Sequence, residues 1–185
     1  CFFLLNYLSA QPAFVKDSLH SFILKGMKKW QIPGLSLVVV KDGKVVIKEG
    51  FGVRNLETRE KVDAHTLFYI ASNTKLFTGI ALANLAYEKK LGLNDKITRY
   101  YPWFRLYDKT STSLVTIKDM LTHRIGTKTF QGDLTFWNSK LHREEIMKKM
   151  LLLKPSQGFR EAYGYCNSCY LVAGMVIPKV AGQTW

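Results

Sequence analysis

Cysteine is scarce in this chain, with three in 185 residues. That scarcity excludes a disulfide-stapled scaffold, in which paired cysteines stand in for a hydrophobic core. Cys166 and Cys169 make one C-x-x-C spacing with no second pair, which leaves a four-cysteine zinc site incomplete. The two are read as reduced or locally bridged cysteines at a helix start. Histidine is nearly as sparse: His20, His65, His123 and His142 show no H-E-x-x-H or other ligand spacing, so no metal and no cofactor is expected. No apolar run reaches the roughly 20 residues that a membrane-spanning helix needs. Acidic residues are few, 14 against 27 lysines and arginines, which gives a net charge of +13.

That basic excess does not point to nucleic acid. Pairs such as Lys28-Lys29, Lys89-Lys90 and Lys148-Lys149 lie on the polar sides of amphipathic segments. No basic stretch is interleaved with aromatics that could stack on bases. A solvated basic surface that helps approach to anionic polymers is the simpler account. The hydrophobic share of 47% is ample for a core.

Residues 1–10, CFFLLNYLSA, are read as the remnant of a secretory signal h-region with a small-residue exit, placing the mature start near Gln11. Export is expected, with no stable membrane span in the mature chain. Both ends look cut, since the chain opens without Met and stops at Trp185 after an apolar helical run.

Apolar positions Val15, Leu19, Phe22, Ile23, Gly26 and Trp30 predict one amphipathic helix over residues 12–30, stopped by Pro33-Gly34. Two apolar runs around Asp42-Gly43 predict a hairpin. Its first strand is apolar on both faces, so the sheet should be covered on both sides. Leu67-Phe68-Tyr69-Ile70 reads as a strand-like entry to a helix with a buried stripe of Phe77, Ile80, Ala81, Ala83, Asn84, Ala86 and Tyr87, closed near Gly92. Thr116 and Asp119 have capping-box spacing for a helix through His123, ended by Gly126. Residues 131–138 read as an aromatic loop and 142–153 as a helix stopped by Pro155. A last helix begins near Asn167, with Pro178 expected to kink or shorten it.

Ser72-Asn73-Thr74-Lys75 falls where the strand-like entry becomes helical. Three residues of helix turn through about 300° and rise roughly 4.5 Å, so serine and lysine share a face. A helix N-terminus adds unpaired N–H groups and partial positive charge beside the hydroxyl. The pair fits a lysine-assisted serine nucleophile. Taken alone, the pair fits better an N-cap serine with a solvated lysine one turn on.

Tyr165-Cys166-Asn167 supplies a second site. With it the chain resembles the β-lactamase and penicillin-binding-protein-like serine hydrolases, on the branch of class C β-lactamases, esterases and D-stereospecific peptidases. The likeness runs from about Val15 to the end. Four segments carry it: IPGLSLVVV over residues 32–40, TLFYIASNTK over 66–75, IKDMLTHRIG over 117–126, and YCNSCYLVAG over 165–174.

The resemblance implies an α+β fold, an antiparallel sheet flanked by helices with a helix-rich subdomain. Residues 11–185 would be the N-terminal portion of a single domain, with 12–60 the helix and hairpin and 61–185 mainly helical. It also implies Ser72 as acylated nucleophile, Lys75 as the group polarising its proton, and Tyr165 as general base. Asn167 would bind the acyl side chain, Gln131 would contact substrate, and the Ser72 backbone N–H would form half of an oxyanion hole. His123, in the T-H-x-x-G turn, is read as structural or supporting.

The implied activity is acyl-enzyme formation on a small amide or ester, peptidoglycan-derived peptides included, in the periplasm or cell envelope. The alternative is a non-catalytic ligand-binding or sensor module. The family's third motif and its C-terminal sheet strands have no counterpart before Trp185. The chain alone is therefore expected to expose a sheet edge and not to turn over substrate.

Overall fold

Asp42 and Gly43 adopt φ of 49° and 72°, the two left-handed conformations that a tight two-residue hairpin turn requires. They join β1 (Gly34–Lys41) to β2 (Lys44–Gly52), antiparallel, with Lys41 opposite Lys44 and Gly34 opposite Gly52. The computed structural model describes residues 13–185, and the leader remnant expected over residues 1–10 lies outside them. The chain divides into two units, the first ending at Tyr69 and the second beginning at Ile70.

In the first unit the helix expected over residues 12–30 is two, α1 (Ala13–Asp17) and α2 (Leu19–Trp30). Ser18 breaks them with a non-helical φ of −128°. Gln31 then turns left-handed, and the N–H of Ile32 returns to the Met27 carbonyl at 2.9 Å to close α2. Of the expected stripe, Val15, Leu19, Ile23 and Gly26 are half-buried, whereas Phe22 and Trp30 stand exposed. Met27 is the buried residue of α2. It faces the hairpin, and a Cβ on Gly52 would lie 2.8 Å from its methyl carbon.

β1 is not covered on both faces. Leu35, Leu37 and Val39 are half-buried, while Ser36, Val38 and Val40 are exposed. Its apolar character therefore exceeds what a two-stranded sheet can bury. The run Leu67-Phe68-Tyr69-Ile70 is likewise no strand, and all four residues are exposed. Extended apolar chain becomes a strand only when another edge takes its N–H and C=O groups, and no described segment does so.

In the second unit, α3 (Thr74–Tyr87) buries Thr78, Leu82 and Leu85, with Ala81 and Ala86 half-buried. Phe77, Ile80 and Tyr87 of the expected stripe are exposed. The helix is apolar on nearly every side, so spacing cannot select its inner face. Contact with α8 (Asn167–Ala181) selects it, with Gly174 of α8 facing Thr78, where even a Cβ would make only an ordinary contact at 3.7 Å from the methyl. α3 ends at Tyr87, capped by Glu88, after which Lys89 turns left-handed with φ 59°, and Gly92 instead lies in the following turn.

Three short helices follow, α4 (Ile97–Tyr100), α5 (Lys109–Leu114) and α6 (Ile117–Leu121). The capping box of α6 forms as its spacing predicts. Thr116 Oγ1 accepts from the Asp119 N–H at 3.2 Å, and Asp119 Oδ2 accepts from the Thr116 N–H at 2.9 Å. The helix stops at Leu121 rather than running through His123, whose φ of 55° is left-handed. After α7 (Arg143–Lys149), α8 runs through Pro178 to Ala181.

The core of this unit gathers Leu82, Ile97, Phe104, Met120, Met147 and Val172, all essentially inaccessible. Each such side chain contributes about 1.5–3 kcal/mol on burial. Tyr101 is buried too, and its hydroxyl donates to the Met175 carbonyl at 2.6 Å. Asp119 is fully buried and accepts from Arg124 Nε at 2.6 Å and from Arg160 Nη2 at 2.7 Å. Burial alone pushes its carboxyl up. Hydrogen bonds from Arg160, Thr116 and Arg124 outweigh that and bring it down to about 2. No helix among the described residues is long and apolar enough to cross a membrane.

Candidate active site

A turn, rather than the helix proper, places Ser72. Ala71 takes φ 45°, a left-handed conformation that costs a residue with a Cβ roughly 1–2 kcal/mol. Residues Ala71–Asn73 then wind as a single 3-10 turn leading into α3. Asn73 Nδ2 donates to the Ile70 carbonyl at 3.0 Å and pins the turn from outside. Ser72 therefore lies beside the N-terminus of α3, and Lys75 occupies the helix's first turn.

Lys75 Nζ donates to Ser72 Oγ at 3.1 Å and to Asn167 Oδ1 at 2.6 Å. Ser72 Oγ and Tyr165 Oη share a hydrogen bond of 2.5 Å. The structure thus brings together Ser72, Lys75, Tyr165 and Asn167. Gln131 stands apart from them. Its Oε1 accepts from the Lys128 N–H at 2.9 Å and its Nε2 donates to the Lys154 carbonyl at 2.8 Å, so it braces its own loop.

Tyr165 is reached through a narrow passage. A Cβ on Gly164 would lie 1.8 Å from the Thr127 carbonyl oxygen, so only glycine lets the chain pass there. The Gly164 N–H donates to the His123 carbonyl and the Phe130 N–H donates to the Tyr165 carbonyl, at 2.9 and 2.8 Å. The phenol ring stacks on His123 at 4.7 Å between centroids, and Lys75 Nζ lies 4.8 Å from its centre. Burial pushes the phenol up, but hydrogen bonding with Lys75 and Ser72 and the Lys75 charge bring it below its ordinary value.

His123 is buried, and burial together with the Lys75 charge holds its imidazole below the ordinary range. Nδ1 accepts from the Cys166 N–H at 3.0 Å, which puts the neutral ring's proton on Nε2. The residue therefore supports the start of α8 and the Tyr165 ring. Cys166 Sγ caps the same helix by accepting from the Cys169 N–H at 3.3 Å, and both cysteines are free.

Asp133 belongs to this network although no local sequence signal marks it. It follows Gly132, whose φ is 89°, in a 3-10 turn of the aromatic loop. Its Oδ2 accepts from Asn167 Nδ2 at 2.8 Å. A carboxylate only accepts, so the amide nitrogen must face Asp133 and the amide oxygen must face Lys75. Asp133 thereby fixes the orientation of the group that holds the lysine.

Two cavities open on Ser72. One of about 480 Å³ is lined by Lys75, Phe136, Trp137, Arg143 and Trp185 among others. The second, of about 590 Å³, is lined by Ser72, Phe130, Asp133, Leu134, Trp137, Tyr165 and Asn167.

Residues 19–185 match the protein family described as Beta-lactamase. The chain belongs to this family. It is 32% identical over 175 residues to Protein flp of Staphylococcus aureus (strain NCTC 8325 / PS 47), covering 92% of this chain and 34% of flp. It is 29% identical over 150 residues to the Teichoic acid D-alanine hydrolase of Staphylococcus aureus, covering 81% of this chain and 36% of that protein. The octameric penicillin-binding protein homologue from Pyrococcus abyssi superposes with a TM-score of 0.71 at 30% identity, over 89% of this chain and 39% of its own. The chain thus spans about a third of the length of the curated relatives it matches. The α+β architecture implied by the sequence resemblance is the one found, a two-stranded antiparallel sheet with helices.

Proposed function

We propose that the protein is a serine hydrolase that forms an acyl-enzyme through Ser72 on an amide or ester. The observation that carries this is the position of Ser72 Oγ, hydrogen-bonded at once to Lys75 Nζ and Tyr165 Oη. A serine hydroxyl is a weak nucleophile until a neighbour takes its proton. Tyr165, with its lowered phenol, takes it as Oγ bonds to the substrate carbonyl carbon. Lys75 stabilises the phenolate. The Ser72 backbone N–H, beside the α3 N-terminus, meets the oxygen that becomes negative. When the intermediate collapses, the bond to the leaving nitrogen or oxygen breaks and Tyr165 returns the proton to that atom. Water then attacks the acyl ester by the reverse proton path. Asn167 has one amide N–H beyond the one given to Asp133, and that N–H is free to meet the acyl group.

The test is direct. Full-length protein exposed to a fluorophosphonate should gain one adduct mass, and peptide mapping should place it on Ser72. An adduct on any other residue would remove the assignment. Tyr165→Phe should slow acylation by roughly 100- to 10,000-fold. In the unsubstituted enzyme kcat/KM should rise with pH as the phenol deprotonates, along a limb below the usual tyrosine range. The substitution should erase that limb, and a limb that survives would take the base role from Tyr165.

The relative named for teichoic acid D-alanine hydrolysis favours an ester of D-alanine on an anionic polymer, at the cell envelope. The basic excess of the chain suits such a partner. Turnover of a D-alanyl ester measured against nitrocefin and a D-alanyl peptide separates esterase from β-lactamase and peptidase.

A further inference from the structure

The wall of the cavity that holds Ser72 and Tyr165 includes a single carboxylate, Asp133, and no lysine or arginine, while Lys75 Nζ lies 3.1 Å from Ser72 Oγ. Three of its other walls, Phe130, Leu134 and Trp137, are large apolar side chains exposed by 59, 89 and 68%. Asp133 Oδ2 is engaged by Asn167, but Oδ1 is shut away from bulk water with no hydrogen-bond partner among the described residues. A buried acceptor without a donor is unfavourable, and a carboxylate oxygen lacks specifically a donor. Aromatic faces such as those of Phe130 and Trp137 attract cations. The cavity on the other side of Ser72 has the opposite character, with Arg143 and Lys75 in its wall and no carboxylate.

We propose that Asp133 selects acyl groups bearing a protonated amine, so that the substrates are aminoacyl esters or amides. This rests on Ser72 being the acylated nucleophile. In an aminoacyl group the amine sits on the carbon next to the carbonyl under attack. With that carbonyl at Ser72 Oγ, the ammonium enters the Asp133 cavity between aromatic walls, where the carboxylate charge attracts it. The leaving half, uncharged or anionic, is directed toward Arg143. An acyl group carrying its own carboxylate is repelled from the Asp133 side.

Two esters of the same alcohol test this in the full-length protein, one D-alanyl and one propionyl, which differ only in the amine. The unsubstituted enzyme should prefer the D-alanyl ester. Asp133→Asn removes the charge yet keeps an oxygen to accept from Asn167 Nδ2. It should lower the ratio of kcat/KM for the D-alanyl ester to that for the propionyl ester by roughly 10- to 100-fold, on top of any loss the two esters share through Asn167. Equal losses for both esters would show that Asp133 only holds Asn167 in place, and the proposal falls. A second measurement needs no variant. The D-alanyl preference should fade as pH rises through the substrate amine's pKa, about 8, and a preference constant with pH overturns the idea. Equal turnover of the two esters by the unsubstituted enzyme leaves the serine hydrolase standing while sinking the selectivity. Turnover of neither sinks both.

Discussion

Ser72→Ala should carry no covalent adduct after treatment with a fluorophosphonate or a fluorescent penicillin, and its hydrolytic rate should fall by a factor on the order of 10⁴–10⁶. The loss is this large because Oγ is the one atom through which the acyl group would be held. In the proposed mechanism Lys75 and Tyr165 handle protons and charge and form no bond to the acyl carbon, so neither can replace it. The fold should be indifferent to the change. Ser72 is exposed, and among the described residues its side chain bonds to Lys75 and Tyr165. Circular dichroism and melting temperature should therefore match those of the parent, which separates lost chemistry from lost structure. Labelling that persists in Ser72→Ala would require another nucleophile.

The second large effect is on stability. Asp119→Ala should destabilise the protein by about 3–5 kcal/mol, lowering Tm by roughly 10 °C. The substitution deletes the capping box of α6 and strips Arg124 and Arg160 of the carboxylate they share. Both arginines are partly exposed, at 35 and 39%, so water recovers some of their hydration and the lower end of that range applies. The same carboxylate sets an acid limit. Its folded-state pKa of about 2 lies below the ordinary 3.8, so its contribution is complete above the unfolded value and is lost as pH falls through about 2. The linkage amounts to about 2 kcal/mol. Acid unfolding between about pH 4 and 2 should be steeper in the parent than in Asp119→Ala, and parallel curves would refute it.

Features governed by a few adjacent residues were legible in the sequence. Asp42-Gly43 dictates the hairpin because few other pairs accept two left-handed conformations in succession. Thr116 and Asp119 dictate the start of α6 because each side chain satisfies the other's backbone N–H. Ser72 and Lys75 meet because three residues of the turn leading into α3 carry the lysine round to the serine's side. Their meeting with Tyr165 and Asn167 came from family resemblance, since no local rule joins residues so far apart. Spacing places only Ala81 and Ala86 of the expected α3 stripe correctly, because that helix is apolar nearly all round and its packing on α8 decides which side is buried. The run 67–70 has strand composition but forms no strand, because strand formation depends on a partner edge that composition does not report. Asp133 passed unnoticed for the same reason: its importance lies in what Asn167 does, 34 residues away.

The separation of Ser72 from Tyr165 by 93 positions has a consequence for biosynthesis. At translation rates of roughly 5–20 residues per second, the alcohol leaves the ribosome on the order of 5–20 s before its phenol partner. Throughout that interval Ser72 is an ordinary serine. On the proposed mechanism a nascent polypeptide is inert toward esters it meets, and Ser72 would gain its reactivity only when α8 docks against α3.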